Sequence, residues 1–198
     1  MAPIASFSFD PISITAKAGE TITIDVLMYS GSDPVISSDV WISYNPDALT
    51  PITEGLSDVK GGNFFQITDA KIVSPGKMYL YAINQSPSAA NIANGKLASI
   101  SFMAREAGST DLRFDCVPFQ KQTSQIIRYD SELSNIINCT TTRAHTASIT
   151  VEEAGNVLGT STQNSYQTWY IALAVLFVLF TGVLFLRYKR LSRNLKTS

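Results

Sequence analysis

The stretch "SDVWISYNPDALTP", residues 38–51, joins an alternating β-strand pattern to the turn that ends the strand. One set of alternating residues is apolar and consists of Val40, Ile42 and Tyr44. The residues between them are Asp39, Trp41 and Ser43. Successive side chains of a strand point to opposite faces, so one set is predicted to face a core and the other to lie outside.

The residues after this strand are predicted to form a structural turn. Asn45 favours a capping position, Pro46 suits the first position of a helical turn, and Asp47 would face its positive end. Leu49 would then fold back onto the core. Asp39 and Asp47 therefore have different predicted roles, and only Asp39 remains as a candidate for binding.

The same alternation recurs through residues 5–151 and predicts an all-β domain. The apolar sets that share a face are Ile22, Ile24, Val26 and Met28; Met78, Leu80 and Ala82; Ala98, Ile100, Phe102 and Ala104; Leu112 and Phe114; and Ile149 and Val151. Turn residues such as Pro75-Gly76 and Asn94-Gly95 separate them, and no stretch before Trp169 has a sustained helical period. Two antiparallel sheets packed face to face are the predicted architecture.

The end of the chain predicts one transmembrane helix over residues 169–186, "WYIALAVLFVLFTGVLFL", which carry no charge. Such a helix spans about 27 Å, close to the hydrocarbon thickness of a bilayer. The tail, residues 187–198, has five basic residues and no acid, which predicts a cytoplasmic C-terminus and an extracytoplasmic domain over residues 1–153. A buried core helix is the alternative for this segment. Because "MAPIASFSF" lacks the features of a signal peptide, an exported domain implies a removed leader or a truncated start, and a tail-anchored protein with a cytosolic domain is the other possibility.

The composition of the outer part limits its partners. Residues 1–168 hold 10 of the 15 Lys and Arg and all 16 Asp and Glu, a formal charge of −6 that argues against nucleic-acid binding. Residues 154–168 carry no charge and are mostly small or polar. This composition predicts a flexible linker between the domain and the membrane.

Cys116 and Cys139 are the only cysteines. Outside the cell such a pair suggests one disulfide, and two unpaired buried thiols are the alternative. With His145 as the sole histidine, the ligand spacing does not fit zinc, so no metal or other cofactor is predicted. A nucleophilic system would also depend on that one histidine, and Asp39 and Asp47 lie on one strand and its turn rather than across a cleft. The chain is therefore predicted not to be an enzyme.

Four segments in this order resemble the cohesin domain family: "AGETITIDV", "DVWISYNPDALTPITEG", "NGKLASISFMAREAGST" and "ASITV". The resemblance covers roughly residues 8–153 and implies a jelly-roll β-sandwich of about nine strands. It also implies a non-catalytic module that binds a dockerin-like partner, as in assemblies for polysaccharide degradation. The segment from Cys116 to Thr146, with its cysteine pair, departs from the family pattern.

The resemblance places the strand of Asp39 in the sheet that contacts the partner. An acidic residue at the position of Asp39 takes part in many cohesins, whereas Ser37 stands where Asn is usual. Tyr79 and Tyr81 would add outward aromatic side chains near Trp41, a composition common at binding hot spots. The alternatives are that a loop such as 119–140 covers these rings, that the aromatics bind a polysaccharide directly, or that the protein is a structural envelope component. Calcium would belong to the dockerin.

Overall fold

The alternating residues form the strands of two β-sheets in the computed structural model of the chain, which describes residues 5–52 and 60–154. The described part contains twelve strands, one short α-helix and a 3-10 helix at Pro87–Ala89. These are β1 (Ser6–Asp10), β2 (Ser13–Lys17), β3 (Thr21–Tyr29), β4 (Val35–Ser43), β5 (Leu49–Pro51), β6 (Lys60–Gly61), β7 (Ile67–Ser74), β8 (Lys77–Ile83), β9 (Asn94–Ala104), β10 (Gly108–Phe114), β11 (Gln125–Arg128), α1 (Cys139–Ala144) and β12 (Ala147–Glu152).

One sheet has five strands in the order β1-β3-β9-β5, with β6 also paired to β9. The other has seven strands in the order β2-β12-β10-β4-β8-β7, with β11 paired to β4. All of these pairs are antiparallel except β12 with β2. The all-β sandwich is confirmed, and its described part has more than nine strands because β5, β6 and β11 are pieces of two to four residues without an alternation of their own.

The core lies between the two sheets and consists of the side chains predicted to face inward. Ile24, Val26 and Met28 of β3 are fully buried, as are Val40 and Ile42 of β4. The apolar sets of β8, β9, β10 and β12 are buried as well. The period-two pattern of the sequence therefore gives the correct inner face for each strand on which it was read.

The predicted transmembrane helix and basic tail, and the predicted linker apart from its first residue, Ala154, lie outside the described residues. Within residues 5–52 and 60–154, no helix is long and apolar enough to cross a membrane.

Candidate partner-binding face

The five residues predicted to bind a partner lie together on the outer face of the seven-stranded sheet. In β4, the outward positions alternate with the buried positions Ser38, Val40 and Ile42. The register of β4 with β8 places Ser37 opposite Ile83, Asp39 opposite Tyr81 and Trp41 opposite Tyr79. We call this surface the candidate face; with the two residues that β7 adds to it, its members are Ser37, Asp39, Trp41, Asp69, Lys71, Tyr79 and Tyr81.

Three aromatic rings form a continuous row across the candidate face. The ring centroids of Trp41 and Tyr79 are 4.8 Å apart with an interplanar angle of 35°, and those of Tyr79 and Tyr81 are 5.9 Å apart at 23°. All three side chains are half-buried. The ammonium of Lys71 lies 5.5 Å from the centroid of Tyr79, within the range of a cation–π interaction. The rings support one another and leave part of their area exposed, so they are held in place before any partner arrives.

Each tyrosine of the row donates a hydrogen bond to a carboxylate. The hydroxyl of Tyr79 donates to Oδ1 of Asp39 at 2.5 Å, and that of Tyr81 donates to Oδ2 of Asp69 at 3.1 Å. The other oxygen of Asp69 accepts from the backbone N–H of Ala70 at 2.8 Å. Among the described residues, none hydrogen-bonds to Oδ2 of Asp39. Asp39 therefore presents one carboxylate oxygen that can accept a hydrogen bond from a partner.

These environments hold both tyrosines in the protonated form. Burial, followed by the hydrogen bond to Asp39, raises the pKa of Tyr79 far above its ordinary value. The hydrogen bond to Asp69 is the main reason why the pKa of Tyr81 is raised. Both hydroxyls remain donors through the physiological range, and the negative charge of the face resides on the carboxylates.

The sequence did not identify Asp69 and Lys71, because β7 was not predicted as a strand. Its register with β8 places Asp69 opposite Tyr81 and Lys71 opposite Tyr79. The available signal was the pair of segments on either side of Pro75-Gly76, which form a hairpin with Gly76 at a φ of 79°, as a type II turn requires. Gln125 of β11, opposite Asp39 on the other side of β4, was missed for the same reason.

The backbone of Trp41 is fixed by the segment that connects β10 to β11. Its N–H donates to Oγ of Ser124 at 3.0 Å, and its carbonyl accepts from the N–H of Asp115 at 2.8 Å. Asp115 also accepts from Oγ of Ser43 at 2.7 Å and pairs with Lys77 at 2.5 Å. This polar cluster fixes the position of Trp41 beside the gap between the end of β10 and the start of β11.

The turn after β4 has the structural role predicted for it. Oδ1 of Asn45 accepts from the N–H of Asp47 at 3.0 Å, and the carbonyl of Asn45 accepts from the N–H of Leu49, also at 3.0 Å. Leu49 is fully buried and Asp47 is exposed. Asn45 therefore caps a single helical turn, and Asp47 forms no pair with Asp39.

In the structure, Cys116 and Cys139 are joined by a disulfide, with 5.1 Å between their Cα atoms. The bridge closes the segment that departs from the expected pattern. Within that segment, Gln125–Arg128 does not cover the aromatic row, because it pairs with β4 as β11 and so lies beside it in the sheet.

His145 has a structural role, because its side chain forms a hydrogen bond with the backbone of β1. Its Nδ1 lies 2.8 Å from the carbonyl oxygen of Phe7, and a carbonyl only accepts, so Nδ1 carries the proton in this contact. The histidine follows α1 and precedes β12, near the predicted start of the last strand. In the part of the chain that the structure describes, no three His, Cys, Asp or Glu side chains are grouped in a way that could hold a metal ion.

Comparisons with known proteins agree with this fold. The sixth cohesin of scaffoldin B from Acetivibrio cellulolyticus, solved with a Cel5 dockerin variant, has a TM-score of 0.58 and 14% identity, over 76% of this chain and 100% of that chain. The OlpA cohesin of Clostridium thermocellum, solved with the dockerin Doc918, has a TM-score of 0.57 and 13% identity, over 76% and 100%. CaCohA2 of Clostridium acetobutylicum has a TM-score of 0.56 and 19% identity, over 74% and 90%.

At these identities the likeness shows a shared fold, and no curated protein sequence matches the chain. The family assignment comes from the Cohesin domain model, which matches residues 9–143. Cohesin domains are non-catalytic dockerin-binding modules, which confirms the prediction that this domain is not an enzyme. The chain belongs to the cohesin domain family.

Proposed function

We propose that this chain is a non-catalytic module that docks a dockerin-type partner on the candidate face. The observation that carries the proposal is the row formed by Trp41, Tyr79 and Tyr81, half-exposed on the outer face of the sheet and bordered by carboxylates. Tryptophan and tyrosine are enriched at binding hot spots, where a rigid ring buries much area at little entropic cost.

The chemistry of the face indicates what its partner must offer. An apolar surface would pack on Trp41, and a hydroxyl or cationic group would donate to Oδ2 of Asp39. The face is acidic overall, as are residues 1–168, so a partner with basic or hydroxyl groups at this contact is favoured electrostatically. Ser37 lies at the margin of the face, between Ile83 and Ile127 in the sheet, and would contribute to specificity.

We also propose that the module is displayed on the outside of the cell. The support is the uncharged segment 169–186, which is followed by a basic tail without acidic residues. In this arrangement residues 154–168 would form a stalk, and the dockerin would bring its own protein, such as a polysaccharide-degrading enzyme, to the cell surface. The segments that would anchor the domain are tested by fractionation: the full chain should stay with membranes after a carbonate wash, and a chain ending at residue 168 should not.

Binding is tested with the full chain in detergent micelles against purified dockerin modules encoded by the source organism. At least one module is expected to bind, and Trp41→Ala and Asp39→Ala should each weaken that binding about tenfold or more. Tyr29→Ala is the matched control, because Tyr29 is 40% exposed on the outer face of the other sheet. Wild-type affinity in both Trp41→Ala and Asp39→Ala would exclude this face.

Direct binding of a polysaccharide is the second candidate, because the same row of rings could stack on a sugar. The ring of Tyr79 packs against both Trp41 and Tyr81, so the three rings form one continuous patch rather than separate platforms along a sugar chain. A glycan array probed with the same full chain separates the two functions. Binding to a glycan that is lost in Trp41→Ala, without binding to any dockerin, would favour the carbohydrate function. The failure of both assays would leave a structural role.

A further inference from the structure

The connection between β10 and β11 carries an apolar side chain that none of the described residues covers. Phe119 is 105% exposed, whereas the next most exposed large apolar residue among those described, Ile12, is 67% exposed. Phe119 also has a φ of 66°, in the left-handed region that disfavours side chains such as phenylalanine. Both features are unfavourable for an isolated domain, and strain of this kind persists mainly where a function uses it.

The loop that presents Phe119 is tied down on both sides. The N–H of Val117 donates to Oγ1 of Thr123 at 2.7 Å, and the N–H of Gln120 donates to the carbonyl of Val117 at 3.4 Å. Thr123 is buried, and Cys116 at the start of the loop is fixed by the disulfide to Cys139. Phe119 is therefore at the tip of an anchored turn rather than on a free segment.

The base of this loop is bonded to the first residue of the aromatic row. Oγ of Ser124, the last residue of the loop, accepts a hydrogen bond from the N–H of Trp41. The N–H of Asp115, the residue before the loop begins, donates to the carbonyl of Trp41. The N–H of Ser124 also donates to the carbonyl of Asp115 at 2.8 Å, which closes the loop at its base. Directly after the loop, Gln125 pairs with Asp39. The base of the loop thus lies beside β4 in the sheet, at the level of Trp41 and Asp39.

We propose that Phe119 is a second apolar anchor for the dockerin-type partner that docks on the candidate face. This inference rests on the proposed function and adds to it a specificity-determining residue outside the sheet. The partner has an apolar recess that receives the ring beside the contact of Trp41. A dockerin without such a recess would leave the phenylalanine in water and lose that part of the affinity, so the loop selects among dockerins.

The test replaces Phe119 by asparagine, which tolerates a positive φ and removes the ring. In the full chain, Phe119→Asn is expected to weaken binding of the cognate purified dockerin about tenfold or more, with a Tm that is unchanged or higher. Phe119→Tyr, which keeps the ring, should bind within about twofold of wild type. A residue that was merely structural would lower the Tm on replacement.

Leu133→Asn is the matched control. Leu133 is the other described non-glycine residue with a positive φ, 51°, and it is 55% exposed within the same disulfide-closed segment. Its replacement should leave binding unchanged. If Phe119→Asn binds like wild type while Trp41→Ala does not, the inference is wrong and the proposed function stands. An equal loss in Leu133→Asn would also overturn the role of Phe119. If no dockerin binds the wild-type chain, both the proposed function and this inference are wrong.

Discussion

The hydrogen bond between Tyr79 and Asp39 allows a quantitative test of how the candidate face is held together. Tyr79→Phe removes the hydroxyl that donates to Oδ1 of Asp39 at 2.5 Å and leaves the ring contacts with Trp41 and Tyr81 in place. Hydrogen bonds to charged groups contribute about 1.5–3 kcal/mol to stability. Both residues are half-exposed, and water replaces part of the lost interaction, so we expect the free energy of unfolding to fall by about 1 kcal/mol.

A double-mutant cycle isolates this contact. The full chain and its variants Tyr79→Phe, Asp39→Asn and the double mutant are unfolded with urea in detergent, and the coupling free energy is calculated from the four values. We expect a coupling of about 1 kcal/mol. The matched cycle of Tyr81→Phe with Asp69→Asn should give a smaller coupling, because that hydrogen bond is longer, at 3.1 Å. A coupling near zero for the first pair would refute the view that the two side chains hold each other in place.

The same contact predicts a pH dependence with a definite sign. The pKa of Tyr79 is raised above its ordinary value of 10.0 by burial and by the hydrogen bond to Asp39. Its contribution to stability is therefore fully present below a pH of about 10 and is lost as the pH rises further. Urea unfolding of the wild type between pH 8 and about 11 should show a decline that is shallower in Tyr79→Phe. Equal slopes in the two proteins would contradict the assignment.

Three further predictions concern stability. Replacing Cys116 and Cys139, 23 positions apart, by serine should lower the free energy of unfolding by about 3 kcal/mol, and adding a reductant to the wild type should have the same effect. Gly76→Ala should destabilise more than Gly19→Ala in thermal unfolding: both have a positive φ, but only at Gly76 would a Cβ meet a backbone oxygen, at 2.9 Å. Backbone N–H donors in its turn lower the pKa of Asp130 to about 2. Its contribution to stability is therefore present above a pH of about 4 and is lost as the pH falls towards 2. In Asp130→Asn, the free energy of unfolding should fall less steeply with decreasing pH over that range.

The sandwich was predictable from sequence wherever one face of a strand is buried and the other is not. In β3 and β4, burial enforces alternation of apolar side chains, and that alternation is visible in the residue types. The turn after Ser43 was predictable too, because Asn45 and Pro46 carry their conformational preferences locally.

Other parts of the candidate face were not predictable, because tertiary pairing rather than local pattern creates them. The edge strand β7 buries only Ala70 fully and exposes Ile72 and Val73, so its apolar residues do not alternate. For this reason the alternation of apolar residues did not identify β7, and Asp69 was not recognised as part of the face. The strand β11 has four residues and exists because β4 offers it a partner.

Phe119 illustrates a different limit of the sequence. An isolated phenylalanine in a chain rich in aromatic residues is expected to be buried, and nothing in "CVPFQKQT" marks this one as exposed. Its exposure results from the loop geometry between two strands that both pair with β4. Only the three-dimensional arrangement distinguishes it from a core residue.

The turns at the end of the β4–β8 pair have a consequence for how such a module can diversify. The N–H of Tyr44 donates to the carbonyl of Gly76 at 3.0 Å, so the turn after β4 and the hairpin before β8 are fastened to each other and fix the register of the two strands. From Ser38 to Ile42 the even-numbered residues of β4 are buried and specify the fold, whereas Ser37, Asp39 and Trp41 face outward. Duplicated copies of the gene could acquire new partners by substitutions at residues such as 37, 39 and 41, which leave the buried core unchanged.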